Sequence, residues 1–192
     1  QTERFTLVPV AVARRVSATS AANSLTMTCP CTVNGLAQTP NNARAENRAG
    51  AAIEGIHHRG YSAIAPENTL AAYKASANVR NYTVEGDIQW TSDDVAVLLH
   101  DATIDRTSDG TGAIASMTLA TAKTYDFGSW KGAAFTGETI PTWDEYLICA
   151  KKLDLTSYFE IKTNATLAQV QGLLASVKKA GMRGRIQFDR TH

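Results

Sequence analysis

The chain has 192 residues, room for one ordinary domain or one domain with an appendage. Its 44% apolar and 19% charged residues are a globular composition, and 19 Lys+Arg against 18 Asp+Glu leave a net charge of +1, too weak a field to argue for nucleic acid or an anionic membrane. Three cysteines cannot all pair within one chain, and stretches such as Val95-Ala96-Val97-Leu98-Leu99 are far short of the ~20 residues of a membrane-spanning helix, so neither a disulfide scaffold nor a transmembrane helix is expected.

Residues 1–52 differ in character from the rest. Phe5 is their one aromatic, they contain no Lys or Asp, and Ala, Asn, Thr and Ser dominate. So little bulky apolar mass cannot offset chain entropy alone. The segment reads as a linker or arm, or as an anchor that orders against a partner chain. Within it, residues 6–12 have strand character, with Pro9 confining them to an edge, and residues 41–52 predict a short Ala-rich helix. Cys29-Pro-Cys31 has the spacing of half a metal site and, without a second pair, is a weak signal.

From Ile53 onward, residues 53–192 alternate strand and helix. Residues 53–56 read as a strand and residues 68–78 as a helix with Leu70, Tyr73 and Ala77 on one face. Residues 84–89 and 95–99 read as strands, and Thr118 caps a helix expected to end near Gly128. Thr142 with Glu145, and Thr166 with Gln169, are capping boxes opening two further helices, the second closed by Gly181. Residues 158–161 and 185–188 complete the strand candidates. This alternation predicts an α/β fold with a parallel sheet or barrel.

Residues able to do chemistry fall at the strand ends. His57 and His58 follow the first strand and His100 ends the third, where parallel α/β folds place their sites. Glu85 and Asp87, two apart in an apolar strand, project to one face. Two carboxylates on a buried face repel each other unless a cation lies between them, and an oxygen-rich pocket suits Ca²⁺, Mg²⁺ or Mn²⁺. Glu160 is a candidate third metal ligand, and Lys162 an anion-holding cation beside it; a salt-bridge ladder inside the barrel is the competing reading. Arg59-Gly60 suits phosphate. Two imidazoles, a divalent cation, Arg and Lys together suit phosphodiester cleavage, one His taking a proton from the nucleophile and the other giving one to the leaving oxygen.

His58-Arg59-Gly60, Pro66-Glu67-Asn68-Thr69, Glu85-Gly86-Asp87, His100-Asp101, Asp105-Arg106-Thr107, Gly110-Thr111-Gly112, Ile140-Pro141-Thr142 and Glu160-Ile161-Lys162, in this order, resemble the signature of the glycerophosphodiester phosphodiesterase family. The resemblance implies a TIM-type (β/α)8 barrel with its site at the C-terminal mouth. It implies His58 and His100 as the acid–base pair, and Glu85, Asp87 and Glu160 as ligands of a divalent cation, usually Ca²⁺ or Mg²⁺. It implies Arg59 and Lys162 as phosphate contacts. Glu67 and Asn68 belong to the matched motif as substrate-binding or supporting groups, and Asp101 orients His100. The implied reaction is hydrolysis of a glycerophosphodiester to glycerol 3-phosphate and an alcohol. Three positions depart from the pattern. His57 replaces a small residue and reads as packing, Gly86 replaces an apolar one facing helices, and Asp94 replaces a turn glycine.

A barrel of eight units needs about 200 residues or more. The strand candidates here account for about the first five, so the remaining strands are expected outside this sequence, and the first residue, Gln1, fits a chain processed or cut from something longer. A second reading is a subunit of a larger assembly, such as a phage tail protein, docked through residues 1–52 and binding or cleaving a surface phosphodiester polymer. The sequence does not fix a compartment, and an extracellular, periplasmic or virion-associated setting is the favoured expectation.

Overall fold

Each of the four α-helices among the described residues starts at a threonine whose side chain accepts the backbone N–H three residues on. The computed structural model of the chain describes residues 55–79 and 82–189, with a short strand pair before them. Helix α1 is Leu70–Asn78, α2 is Leu119–Ala122, α3 is Trp143–Leu153 and α4 is Leu167–Ala180. Both expected capping boxes form, and Gly181 closes α4 at φ 72°. Helix α2 stops well before Gly128. The Asp126 carboxylate takes the N–H groups of Gly128, Ser129 and Gly137 at 2.7–2.9 Å, an alternative to helical pairing.

Strands β1 (Ala45–Glu46) and β2 (Ala52–Ile53) pair antiparallel. This replaces the helix expected at residues 41–52: alanine propensity alone does not hold so short a helix in water. The strand expected at residues 6–12 and the Cys29-Pro-Cys31 pair lie outside the described residues.

The main sheet has the order β4-β3-β5-β6, with β3 Thr83–Trp90, β4 Ala96–Leu98, β5 Thr156–Ile161 and β6 Ile186–Asp189. Strands β3, β5 and β6 run parallel. The strand expected at residues 53–56 contributes to this sheet one step later, as a single parallel bridge of His57 with Val84. Strand β4 differs from the expectation. It runs antiparallel to β3, Ile88 opposite Leu98 and Trp90 opposite Ala96, so it doubles back along β3 instead of adding a parallel step. A short turn, with Asp94 in the left-handed region at φ 62°, permits a hairpin where a crossover helix would need far more chain.

Alternation divides β3. Val84, Gly86, Ile88 and Trp90 face the helices, while Thr83, Glu85, Asp87 and Gln89 share the opposite face. Tyr73, Trp143, Tyr146 and Phe159 interlock on the helix side, with ring centroids 4.7–5.7 Å apart. A second cluster of Val97, Leu99, Ile104, Ile114, Phe127 and Ile140 packs beneath the long segment between β4 and α3.

Candidate active site

The register of β3 on β5 sets Asp87 opposite Glu160 and Glu85 opposite Tyr158, which brings the three acidic side chains to one face. Glu85, Asp87 and Glu160 each offer a carboxylate oxygen, all within 4.8 Å of one another. Asp87, only 1% exposed, is the innermost. Asn68 Nδ2 donates to its Oδ2 at 2.9 Å, and Asn68 Oδ1 accepts both the Asp87 N–H and the Tyr73 hydroxyl. Asp87 Oδ1 accepts no hydrogen bond. Burial pushes the Asp87 carboxyl up, and burial followed by the neighbouring Asp87 charge pushes Glu85 up. A buried carboxylate oxygen without a donor, on one of two carboxyls that resist ionising and with Glu160 beside them, is a donor set short of a cation. The residues therefore fit a hard divalent ion held by oxygen.

Arg59 and Lys162 flank the cluster. Arg59 Nη1 donates to Glu67 Oε1 at 2.8 Å, and Arg59 Nε lies 3.3 Å from Asp87 Oδ2, close in charge but not aligned as a hydrogen bond. Lys162 Nζ pairs with Glu160 at 2.7 Å and lies 3.9 Å from Asp87 Oδ1. The loop carrying His58 and Arg59 is tied to β3 by two backbone bonds, Glu85 N–H to His57 O and Gly60 N–H to Glu85 O, and by Arg59 N–H donating to the side-chain Glu85 Oε2. Gly60, at φ 73°, has no room for a Cβ, which would lie 2.8 Å from that of Ala72.

His58 is 63% exposed, with Nε2 3.8 Å from Glu85. Partial burial and then the Arg59 charge lower its pKa, while the charges of Asp87 and His100 also reach it. His100 arrives because β4 doubles back: Leu99 N–H bonds to Asp87 O, so the next residue lies beside the cluster. Gln89 Nε2 holds this corner by donating to the carbonyls of His100 and Asp101. His100 Nδ1–H donates to Asp101 Oδ1 at 2.6 Å. The Arg106 hydrogen bond, aided by His100 and opposed by burial, holds Asp101 down to about 2. An ionised Asp101 only accepts, so in the neutral imidazole Nδ1 carries the proton and the lone pair is on Nε2. His57 is set apart, bonded to Ser76 Oγ at 2.9 Å and stacked on Tyr61 at 4.4 Å, as packing requires.

All nine singled-out residues, His58, Arg59, Glu67, Asn68, Glu85, Asp87, His100, Glu160 and Lys162, converge here. Glu67 and Asn68 stand behind the charged groups, since both Glu67 oxygens are taken by guanidiniums and the Asn68 amide by Asp87 and Tyr73. The sequence reading assigned no role to Gln89 or Arg106. Gln89 shares the face of Glu85 and Asp87 by alternation, a signal available without coordinates, whereas only the fold shows what Arg106 reaches.

Parallel strands, three clustered carboxylates that could hold a metal ion, two cations and a carboxylate-oriented imidazole thus meet on part of an α/β barrel. The profile of the glycerophosphoryl diester phosphodiesterase family matches residues 58–189, and the chain belongs to that family. It is 39% identical over 118 residues to mouse glycerophosphodiester phosphodiesterase 1, covering 60% of this chain and 36% of the mouse protein. It is 35% identical over 133 residues to the glycerophosphodiester phosphodiesterase of Caldanaerobacter subterraneus, covering 68% and 55%. Among solved structures, the glycerophosphodiester phosphodiesterase of Agrobacterium tumefaciens superposes with a TM-score of 0.65 at 31% identity, over 71% of this chain and 57% of that one. A phosphodiesterase of Oleispira antarctica in complex with sn-glycerol-3-phosphate gives 0.61 at 30% identity, over 71% and 57%. The chain thus spans from about a third to just over half of these relatives, and its fold is the matching part of their TIM-type barrel.

Proposed function

We propose that the protein hydrolyses glycerophosphodiesters to glycerol 3-phosphate and an alcohol, using His58 and His100 as the proton-transfer pair. The observation that carries this reading is the donorless Asp87 oxygen at the centre of three carboxylates, with Arg59 and Lys162 beside it and His58 and His100 within reach of its charge. Glu85, Asp87 and Glu160 would hold a divalent cation, Ca²⁺, Mg²⁺ or Mn²⁺, which supplies Lewis-acid polarisation of the phosphoryl oxygens.

The remaining chemistry belongs to the side chains. Arg59 and Lys162 neutralise and orient the phosphate. His100, its Nδ1–H fixed on Asp101, offers Nε2 as the base that takes the proton of the attacking hydroxyl or water. As the new P–O bond forms and the bond to the alcohol breaks, His58 returns a proton to the leaving oxygen. Residues 1–52 precede this unit as an arm suited to docking a partner chain.

The test is release of glycerol 3-phosphate from glycerophosphocholine, glycerophosphoethanolamine and glycerophosphoglycerol by the full-length protein. Ca²⁺, Mg²⁺, Mn²⁺ or EDTA is added, and His58→Ala and Glu85→Gln run alongside. Release that EDTA and both substitutions abolish is the expected result. A folded protein that releases nothing from any of the three diesters would sink the reading.

A further inference from the structure

Resting on the reading of His100 as a proton-transfer group, we infer that Arg106 is a positioning residue: one guanidinium locks the two loops that carry the imidazole and the phosphate-binding arginine. Its Nε donates to Asp101 Oδ2 at 2.6 Å, and its Nη1 and Nη2 donate side by side to Glu67 Oε2 and Oε1 at 2.9 and 2.8 Å. Each carboxylate passes the constraint on. Asp101 holds His100 Nδ1, and Glu67 Oε1 also accepts from Arg59 Nη1. The chain His100–Asp101–Arg106–Glu67–Arg59 therefore runs from the imidazole to the phosphate-facing guanidinium through hydrogen bonds of 2.6–2.9 Å.

An ordinary surface salt bridge does not account for this. A lone exposed pair contributes little and holds little in place. Here three donors of one rigid fork are spent on two carboxylates from separate loops, one before α1 and one after β4, and a lysine, as a single point charge, has no equivalent geometry. Without Arg106 the two carboxylates keep their charges and lose the cation they share. The Glu67 side chain is mostly enclosed, so the change is felt in the site and not only at its rim.

Arg106→Ala in the full-length protein is expected to lower kcat about 10- to 100-fold, the range seen when a group that orients a reactive residue is removed. The Kd for Mn²⁺ should change less than about threefold, because the hydrogen bonds of Arg106 go to Asp101 and Glu67 and not to Glu85, Asp87 or Glu160. Millimolar guanidinium restores part of the lost kcat in Arg106→Ala, while Arg106→Lys without guanidinium stays low. ¹⁵N-histidine NMR reads the link without turnover: His100 resonances move in Arg106→Ala while those of His57 do not. Wild-type kcat in Arg106→Ala, or His100 resonances identical to wild type, overturns the inference. If the wild-type protein hydrolyses no diester, the catalytic reading fails and the NMR comparison still decides whether Arg106 positions His100.

Discussion

Gly86 lies between two acidic positions of β3, and replacing it with alanine tests how the site is braced from behind. Its Cβ would fall well inside contact distance of the Tyr73 hydroxyl, 2.6 Å from Phe159 Cε1 and 3.1 Å from Asn68 Oδ1. Neither ring can retreat: both are fully buried, Tyr73 edge-on against Tyr146 at 4.7 Å and Phe159 edge-on against Trp143 at 4.9 Å. Overpacking of this kind costs about 1–3 kcal/mol. Pushing Tyr73 off Asn68 removes a buried hydrogen bond worth about 1 kcal/mol, and alanine in a strand returns about 0.5–1 kcal/mol of backbone entropy. The net loss for Gly86→Ala is therefore about 1–3.5 kcal/mol, read by urea unfolding followed through the fluorescence of the buried Trp90 and Trp143. Tyr73→Phe removes the nearest clashing atom, so Gly86→Ala/Tyr73→Phe should be at least about 0.5 kcal/mol more stable than the sum of the singles. A Gly86→Ala protein within 0.5 kcal/mol of wild type, or strict additivity, refutes the packing argument.

Four further outcomes are expected. Burial, then the charge of Asp87, raises Glu85 from 4.5 to about 8, so the metal-free native state keeps a proton that the unfolded chain has released. That contribution is complete below about pH 4.5 and lost as pH rises through about 8. Melting in EDTA should fall across this window and flatten with saturating Ca²⁺ or Mn²⁺; equal slopes with and without metal would refute the cation site. His58→Ala and His100→Ala each lower kcat by about 10²- to 10⁴-fold with little change in melting temperature, checked by glycerol 3-phosphate release. Glu67→Gln, which keeps shape but removes the charge shared by Arg59 and Arg106, lowers kcat/KM about tenfold in the same assay. Tyr146→Phe leaves the buried Ser157 hydroxyl without its Tyr146 partner and costs about 1–3 kcal/mol, seen as a lower urea midpoint at unchanged slope.

The parts of this molecule that were legible in the sequence rest on local rules. Thr142 with Glu145 and Thr166 with Gln169 announce their helices because a capping box is built within four residues. Glu85 and Asp87 share a face because a strand alternates, whatever it pairs with. The direction of β4 was not legible in this way. An apolar run of the same composition serves a parallel or an antiparallel neighbour, and only the ladder distinguishes them. Gly86 does face the helices, as its alternation with Glu85 and Asp87 predicts, but what fills the space in front of it was not legible. The space is filled by a residue 13 positions earlier in the chain, Tyr73, whose helix position shows only that it faces inward.

The antiparallel return of β4 also explains why half a barrel is enough to assemble these groups. In a parallel step, His100 would sit one crossover away from Asp87. In the hairpin, Leu99 bonds to the Asp87 carbonyl, and the imidazole is delivered beside the carboxylates by a turn of a few residues. That turn is held at both sides: Thr91 accepts the Val95 N–H and bonds to Asp93, while Gln169 of α4 donates to Asp94. The loop after His57 is pinned to the same strand by Glu85 and Gly60. Strand β3 thus carries two of the carboxylates and receives both imidazoles, and β5 needs to add only Glu160 and Lys162. The chemistry is concentrated on one strand and its immediate neighbours, which places it inside the region shared with relatives whose barrels extend well beyond the length matched here.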